Sequence, residues 1–296
     1  MAERAVVAGQ AEGDTFPKLL LDNARRRGNR PAMREKEFGI WRTWTWAEVK
    51  DEVMRFALGL QALGFEKGDS IAIIGGNKPR LYWTFMAAQS LEGIPVPVYA
   101  DAITEELAFV LAHAEVSFAV CQDQEQVDKC LAAQDELPLL ERIIYDETRG
   151  MRDYDHTRLN AFANVQEIGD KLLVVEGAAA RWEARISAAS GNDRSTILYT
   201  SGTTGQSKGV VLRAAGAVQA ARDTAAFGHL DERDAVLAYL PLAWVGDHYL
   251  NYAQGLVAGF CMACPEGPET VQQDLREIGP TFYFAPPRVF ESLLTR

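Results

Sequence analysis

Residues 199–209 read Tyr199-Thr200-Ser201-Gly202-Thr203-Thr204-Gly205-Gln206-Ser207-Lys208-Gly209, directly after the apolar start of a strand at Ile197 to Thr200. Three glycines permit close backbone approach and positive φ, so amide N–H groups can converge on an anion. Thr200, Ser201, Thr203, Thr204 and Ser207 add five hydroxyl donors, and Lys208 adds one full positive charge. Together they suit a polyphosphate. A plain Gly/Ser/Thr turn between two strands would have a similar composition. Such a linker gains nothing, however, from a lysine embedded among hydroxyls and glycines and followed at once by the strand-like Val210 to Leu212. The spacing also departs from a Walker loop, in which Gly, four residues and Gly-Lys-Ser/Thr lead into a helix. Here Ser207 precedes Lys208, Gly209 follows it, and the next element reads as a strand. No G-x-G-x-x-G dinucleotide fingerprint stands in the chain.

Outward from this stretch the rhythm is strand then helix. Thr45 and Glu48 form a capping box ahead of Val49, Val53, Phe56, Ala57, Leu60 and Leu63, an apolar stripe at helical spacing that stops near Gly64. Ser70 to Ile74 reads as a buried strand, Pro79 to Leu91 as a helix, and Ile94 to Tyr99 as a strand. The pattern repeats with a helix over Thr104 to Ala114, a strand over Val116 to Cys121 and a helix over Gln124 to about Gln134. Past Asp193, strands are expected at Ile197 to Thr200, Val210 to Leu212, Ala235 to Leu240, Phe260 to Ala263 and Thr281 to Ala285. Alternation of this kind predicts an α/β fold with parallel-rich sheets covered by helices on both faces. The expected organisation is a flexible N-terminus over 1–15, a first α/β subdomain over 16–145, an inserted loop-rich or helical segment over 146–193 and a phosphate-loop α/β region over 194–296.

The 296 residues are 48% hydrophobic and 24% charged, close to soluble averages, which excludes a wholly disordered or fibrous chain. With 30 Lys plus Arg against 41 Asp plus Glu, the net charge of −11 repels nucleic acid backbones. The one dense basic run, Arg25-Arg26-Arg27, reads first as a solvated helix face, with an anion or membrane role as the alternative. Cys121, Cys130, Cys261 and Cys264 are too few for a disulfide scaffold. Although Cys261 and Cys264 form a C-x-x-C pair, no second Cys or His pair stands at zinc-ligand spacing. Asp153, Asp155 and His156 read as polar loop residues rather than as a metal site, and no metal ligand is assigned. The N-terminus lacks the apolar core of a signal peptide, and no run reaches the ~18 apolar residues of a membrane span, so the expected place is the cytoplasm.

Taken as a motif, Y-T-S-G-T-T-G-x-x-K-G resembles the phosphate-loop signature of the adenylate-forming (AMP-binding) enzymes, the superfamily of acyl-CoA synthetases, luciferases and peptide-synthetase adenylation domains. The resemblance runs over nearly the whole chain from about Phe16. It includes W-T-W-A-E-V at 44–49, G-L-Q-A-L-G-F-E-K-G-D at 59–69 and L-P-L-A-W-V-G-D at 240–247. Pro286-Pro287-Arg288-Val289-Phe290-Glu291 and the long insert before the loop are similar to the long-chain fatty acyl-CoA synthetase branch.

The resemblance implies the large N-terminal domain of that superfamily, in incomplete form, and two half-reactions. A carboxylate attacks the α-phosphate of ATP to give an acyl-adenylate and pyrophosphate, then the thiol of coenzyme A displaces AMP. Implied co-substrates are ATP, a fatty acid and coenzyme A, with Mg²⁺ assisting; oligomeric state is not implied. Thr200, Ser201, Gly202, Thr203, Thr204, Gly205, Ser207 and Lys208 would bind nucleotide phosphates, with Lys208 and Thr200 acting on the reacting groups. Trp244, Asp247 and His248 would border the acyl pocket. The family often has His and Glu where this sequence has Trp244 and Asp247, which bears on pocket shape and chain-length preference. On the residues alone, Trp244, Tyr249, Leu250, Ala253, Leu256 and Val257 also fit the buried face of a helix, and His248 a packed or surface histidine.

The family's later motifs have no counterpart in residues 1–296. These are the acid that helps hold Mg²⁺, the ribose-binding aspartate, the hinge and the lysine of the small C-terminal domain. The expectation is therefore the N-terminal part of an acyl-CoA ligase about twice as long, inactive by itself. The alternative is a non-catalytic nucleotide-phosphate binding module, or a half-enzyme that assembles with a separate C-terminal chain.

Overall fold

The computed structural model describes residues 13–200 and 207–294, so Ser201, Gly202, Thr203, Thr204 and Gly205 lie outside the described residues. Helix α1 (Phe16–Arg27) leads into β1 (Pro31–Glu37) and β2 (Ile40–Thr45), an antiparallel ribbon closed by a two-residue turn. Phe38 and Gly39 both take positive φ there, 48° and 76°, as a type I′ hairpin turn requires. Thr45 then caps α2 (Trp46–Ala62): its hydroxyl accepts from the Glu48 amide at 3.3 Å, and Glu48 Oε2 accepts from the Thr45 amide at 2.7 Å. The capping box read from the sequence is present, and Val49, Val53, Phe56, Ala57 and Leu60 are buried beneath it.

Next come β3 (Ser70–Ile74), α3 (Pro79–Ser90), β4 (Ile94–Val98), α4 (Thr104–His113), β5 (Val116–Cys121), α5 (Gln124–Ala132), β6 (Arg142–Tyr145) and β7 (Leu159–Ala161). These five strands form one wholly parallel sheet in the order β4-β3-β5-β6-β7. Ile71 and Ile73 of β3 face one core and Ala72 and Ile74 the other, so both sheet faces are covered. The chain winds from β3 outward to β4 and then crosses back to β5. A topological switch point therefore lies at the carboxyl ends of β3 and β5, where open α/β sheets bind ligands.

Residues 146–193 supply β7 at the sheet edge, then α6 (Phe162–Leu173) and α7 (Ala178–Ala188). Helix α6 crosses α2 with backbones in direct contact. A Cβ on Gly59 would stand 2.0 Å from the Val165 carbonyl oxygen, and one on Gly169 would stand 1.8 Å from the Arg55 oxygen. Phe56 and Phe162 stack at 3.8 Å beside this crossing, and Arg55 forks onto Asp170 with two bonds of 2.6 Å. Gly169→Ala is therefore expected to destabilise the protein by about 1–3 kcal/mol through overpacking against backbone. Gly216→Ala, at a helical position with open space around it, is expected to stabilise by about 0.5–1 kcal/mol. Urea denaturation of both variants checks the opposite signs.

The remaining elements are β8 (Arg194–Thr200), β9 (Lys208–Arg213), α8 (Ala214–Phe227), β10 (Ala235–Leu237), α9 (Val245–Asp247), a π-helical stretch (His248–Ala253), α10 (Gln254–Ala258), β11 (Cys261–Cys264), α11 (Val271–Ile278) and α12 (Pro287–Leu294). A second sheet has the order β10-β11-β1-β2, with β11 parallel to both neighbours. Lys36, buried in β1, joins this sheet to α11 through Asp274 at 2.9 Å and Glu277 at 2.7 Å.

Local departures from the sequence reading have physical causes. β8 and β9 pair antiparallel as a separate ribbon, because a short connection cannot return a strand in the parallel sense. Thr281 to Ala285 is not a strand: Thr281 bonds Ala235 and Asp234, but the segment runs from Gly279-Pro280 into Pro286-Pro287 and builds no ladder. The basic run is not solvated throughout. Arg25 and Arg26 turn to Asp22, whereas Arg27 is buried and bonds Glu232 and Asn23. Cys261 and Cys264 are buried and free, and their spacing of three along β11 puts them on opposite sheet faces. Among the described residues no helix is long and apolar enough to cross a membrane.

Candidate functional site

The β8–β9 register sets Thr200 opposite Lys208 and Tyr199 opposite Gly209. The two ends of the loop thus stand side by side. Lys208 is exposed, and no ion-pair partner holds its ammonium among the described residues, while Ser207 is half-buried beside it. One cation and two hydroxyls at a hairpin mouth fit phosphate oxygens well. Magnesium fits less well, since among the described residues no group of three His, Cys, Asp or Glu side chains is arranged to hold a metal ion.

β8 is seated by buried polar bonds. Thr196 Oγ1 donates to the Pro95 carbonyl of β4 at 2.9 Å. Gln89 Nε2, on α3, donates to the Ser195 carbonyl at 2.8 Å and to its hydroxyl at 3.0 Å. Gln89 Oε1 in turn accepts from Tyr252 Oη at 2.6 Å. Through these groups the β8–β9 hairpin is coupled to the helical stretch that follows Trp244.

That stretch separates the three residues assigned to the acyl pocket. Trp244 precedes α9, half-buried, with its ring folded over Gly246 and tilted against Phe284 at 6.3 Å. A Cβ on Gly246 would fall 2.2 Å from the ring, so glycine is what allows this pose. Asp247 is 1% exposed. Its carboxylate accepts from Tyr82 Oη at 2.8 and 2.9 Å, Asn77 Nδ2 at 3.0 Å and Asn251 Nδ2 at 2.7 Å. Asn77 also donates to the Leu240 carbonyl at 3.0 Å, which closes the 240–247 segment onto the β3–α3 junction. Burial pushes the Asp247 carboxyl up to about 7 against the downward pull of Asn251, Tyr82 and Asn77.

His248 points elsewhere. It is buried among Phe16, Phe85, Tyr249 and Tyr252, with ring centroids 5.3–6.1 Å away, and neither ring nitrogen has a hydrogen-bond partner. Burial drives its pKa down to about 4, so the ring is neutral. This is an aromatic packing position.

A cavity of about 700 Å³ opens at the switch point, bordered by Gly76, Asn77, Asp101, Gln122, Tyr239 and Tyr283. Gly76 N donates to Gln122 Oε1 at 2.6 Å, tying the ends of β3 and β5 at its floor. Asn77, Tyr82, Gln89 and Gln122 escaped the sequence reading. Gly75-Gly76-Asn77 at the end of a buried strand was the available signal for the first of them.

A family model described as AMP-binding enzyme matches residues 20–296. The chain belongs to the AMP-binding enzyme family. Among curated relatives, the long-chain-fatty-acid–CoA ligase ACSBG2 of Xenopus laevis is 28% identical over 295 residues, covering 94% of this chain and 38% of that protein. ACSBG2 of Rattus norvegicus is 26% identical over 291 residues, covering 94% and 42% respectively. The ligase heimdall of Drosophila melanogaster is 26% identical over 302 residues, covering 95% and 42%. The chain thus spans about two-fifths of the length of these curated relatives. The solved structure of a luciferase-like enzyme from Zophobas morio superposes with a TM-score of 0.74 at 16% identity, over 92% of this chain and 61% of that one. o-Succinylbenzoate CoA synthetase of Bacillus subtilis gives 0.66 at 19%, over 94% and 63%. Likeness at such identities shows the shared α/β fold with parallel-rich sheets.

Proposed function

We propose that this chain is the phosphate-binding part of an ATP-dependent long-chain fatty acid:CoA ligase. The observation that carries the reading is the β8–β9 register, which brings Thr200 and the uncompensated Lys208 together in a chain of the AMP-binding enzyme family. The relatives matched over nearly the whole chain are long-chain-fatty-acid–CoA ligases, which favours a fatty acid as the carboxylate. In the first half-reaction the carboxylate oxygen attacks the α-phosphorus of ATP, the bond to the bridging oxygen breaks, and pyrophosphate leaves. Lys208 would meet the negative charge growing on that leaving group, with the Thr200 and Ser207 hydroxyls donating to its oxygens. Magnesium carried in on the nucleotide would neutralise charge on the same phosphates, held by their oxygens, since no described side-chain group is arranged to hold it. Coenzyme A thiolate then attacks the acyl carbon and AMP departs, leaving the thioester.

The test is carboxylate-dependent exchange of labelled pyrophosphate into ATP, by this chain at the full length of its relatives. Long-chain acids are expected to support exchange better than acetate. No exchange with any carboxylate overturns the proposal.

Trp244 is proposed to border the acyl site, because its half-buried ring rests on Gly246 rather than inside the core. Trp244→Ala should then reorder the preference among chain lengths, each additional buried CH₂ contributing ~0.8 kcal/mol. Equal losses of activity for short and long acids, with lowered stability, would assign Trp244 to packing alone.

A further inference from the structure

The β8–β9 ribbon has little support of its own. Two-stranded hairpins are marginal in water, and Val210 and Val211 of β9 are about half exposed, so the ribbon stays where β8 is gripped. Ser195 and Thr196 are gripped at the far end, through Gln89 and Pro95. At the end beside the loop the grip is Tyr199.

The Tyr199 ring lies across the backbone of its cross-strand partner Gly209. A Cβ there would stand 3.2 Å from Tyr199 Cζ and 3.4 Å from Oη. On α4, His113 Nδ1 stands 2.6 Å from Tyr199 Oη, with the two rings edge to face at 5.7 Å. Phe109, one turn earlier on α4, stacks on the imidazole at 5.6 Å and orients it. Burial raises the Tyr199 phenol above its ordinary range, so the phenol stays protonated, and the tautomer of His113 sets which of the two groups donates. His113 itself is an exposed residue in the last turn of α4, where alanine would serve the helix better. Its distinctive contribution is the bond to Tyr199.

We propose that His113 is a positioning residue for the phosphate site: by holding the Tyr199 ring against Gly209, it keeps Thr200 and Lys208 aligned at the hairpin mouth. The proposal rests on the reading of Thr200 and Lys208 as phosphate ligands. His113 lies 86 residues before Tyr199 in the chain and reaches the hairpin through the Tyr199 phenol.

The test uses the purified chain and inorganic pyrophosphate as the probe, with binding followed by calorimetry. His113→Ala and Tyr199→Phe should each weaken binding ~5-fold, the effect of one lost hydrogen bond. The double variant should be no weaker than the weaker single, because both remove the same bond. His113→Asn, whose amide returns both an acceptor and a donor near the place of Nδ1, should restore affinity to within ~2-fold of the parent. Additive losses, or an Asn variant no better than Ala, would overturn the proposal by making His113 a helix-end residue. If pyrophosphate fails to bind the parent, or Lys208→Ala binds it as well as the parent, the phosphate reading itself falls. Amide exchange then decides the clamp: at whichever of the Lys208 and Gly209 amides bonds into the β8 ladder, His113→Ala should speed exchange by ~5-fold and leave β5 unchanged. Unchanged exchange at that amide overturns it.

Discussion

Lys208→Ala should lower carboxylate-dependent pyrophosphate exchange by ~10²-fold or more at saturating ATP, since one oriented donor facing developing charge supplies ~3 kcal/mol of transition-state stabilisation. The size of the effect follows from the setting. Lys208 stands opposite Thr200 at the open end of an antiparallel ribbon, and no carboxylate of the described residues neutralises it. Its charge is therefore available to a ligand. Folding should be nearly indifferent to the change, within ~0.5 kcal/mol, because the side chain is exposed. Lys208→Arg should recover part of the rate, as it keeps the charge but replaces a compact ammonium by a planar fork. Exchange at the parental rate in the alanine variant would remove Lys208 from the chemistry.

Asp247→Ala should destabilise the fold by about 3 kcal/mol or more, measured by urea denaturation, because it strips buried donors of their acceptor. Tyr82 Oη, Asn77 Nδ2 and Asn251 Nδ2 all converge on this carboxyl, and Asp247 is 1% exposed. The pH dependence carries its own sign. Burial raises the folded-state pKa to about 7 from an ordinary value of 3.8, so between those values the folded protein holds a proton that the unfolded chain has released. The stability contributed by this group is complete below about pH 4 and is lost as pH rises through 7, on the order of 4 kcal/mol in all. Asp247→Asn, which cannot ionise, should therefore gain stability relative to the parent across that window. A parent-minus-variant difference that stays constant from pH 4 to 8 would show that Asp247 ionises normally.

Much of the architecture was legible because its causes are local. Ser70 to Ile74 and Val116 to Cys121 are mostly apolar runs bounded by turns, and both form strands over those residues. Thr45 and Glu48 satisfy each other within one helical turn, so the start of α2 needs no distant partner. The motif at 199–209 reads as a loop between strands because a hairpin's ends pair with each other, and the family membership that it suggested holds over residues 20–296.

Other features have partners too far along the chain to be read from a window. β1, Pro31-Ala32-Met33-Arg34-Glu35-Lys36-Glu37, is too charged to look like a strand inside a sheet. It becomes one because Asp274, 238 residues later, compensates Lys36, and because β11 supplies a parallel neighbour. Thr281 to Ala285 has strand-like composition and starts beside the β10 edge, but between Gly279-Pro280 and Pro286-Pro287 it builds no ladder past Thr281. The same distinction governs the candidate site. Residue types by themselves put Thr200 and Lys208 at the two ends of one loop between strands, and the β8–β9 register then set them side by side. Only the tertiary structure decided that Asp247 is held by Asn77 and Tyr82, 170 and 165 residues away, while the adjacent His248 turns into aromatic packing. A carboxylate and an imidazole next to each other in sequence have the same local propensities. What separates them is which direction the helix presents to buried donors and which to apolar rings, and that depends on where α1 and α3 dock against it.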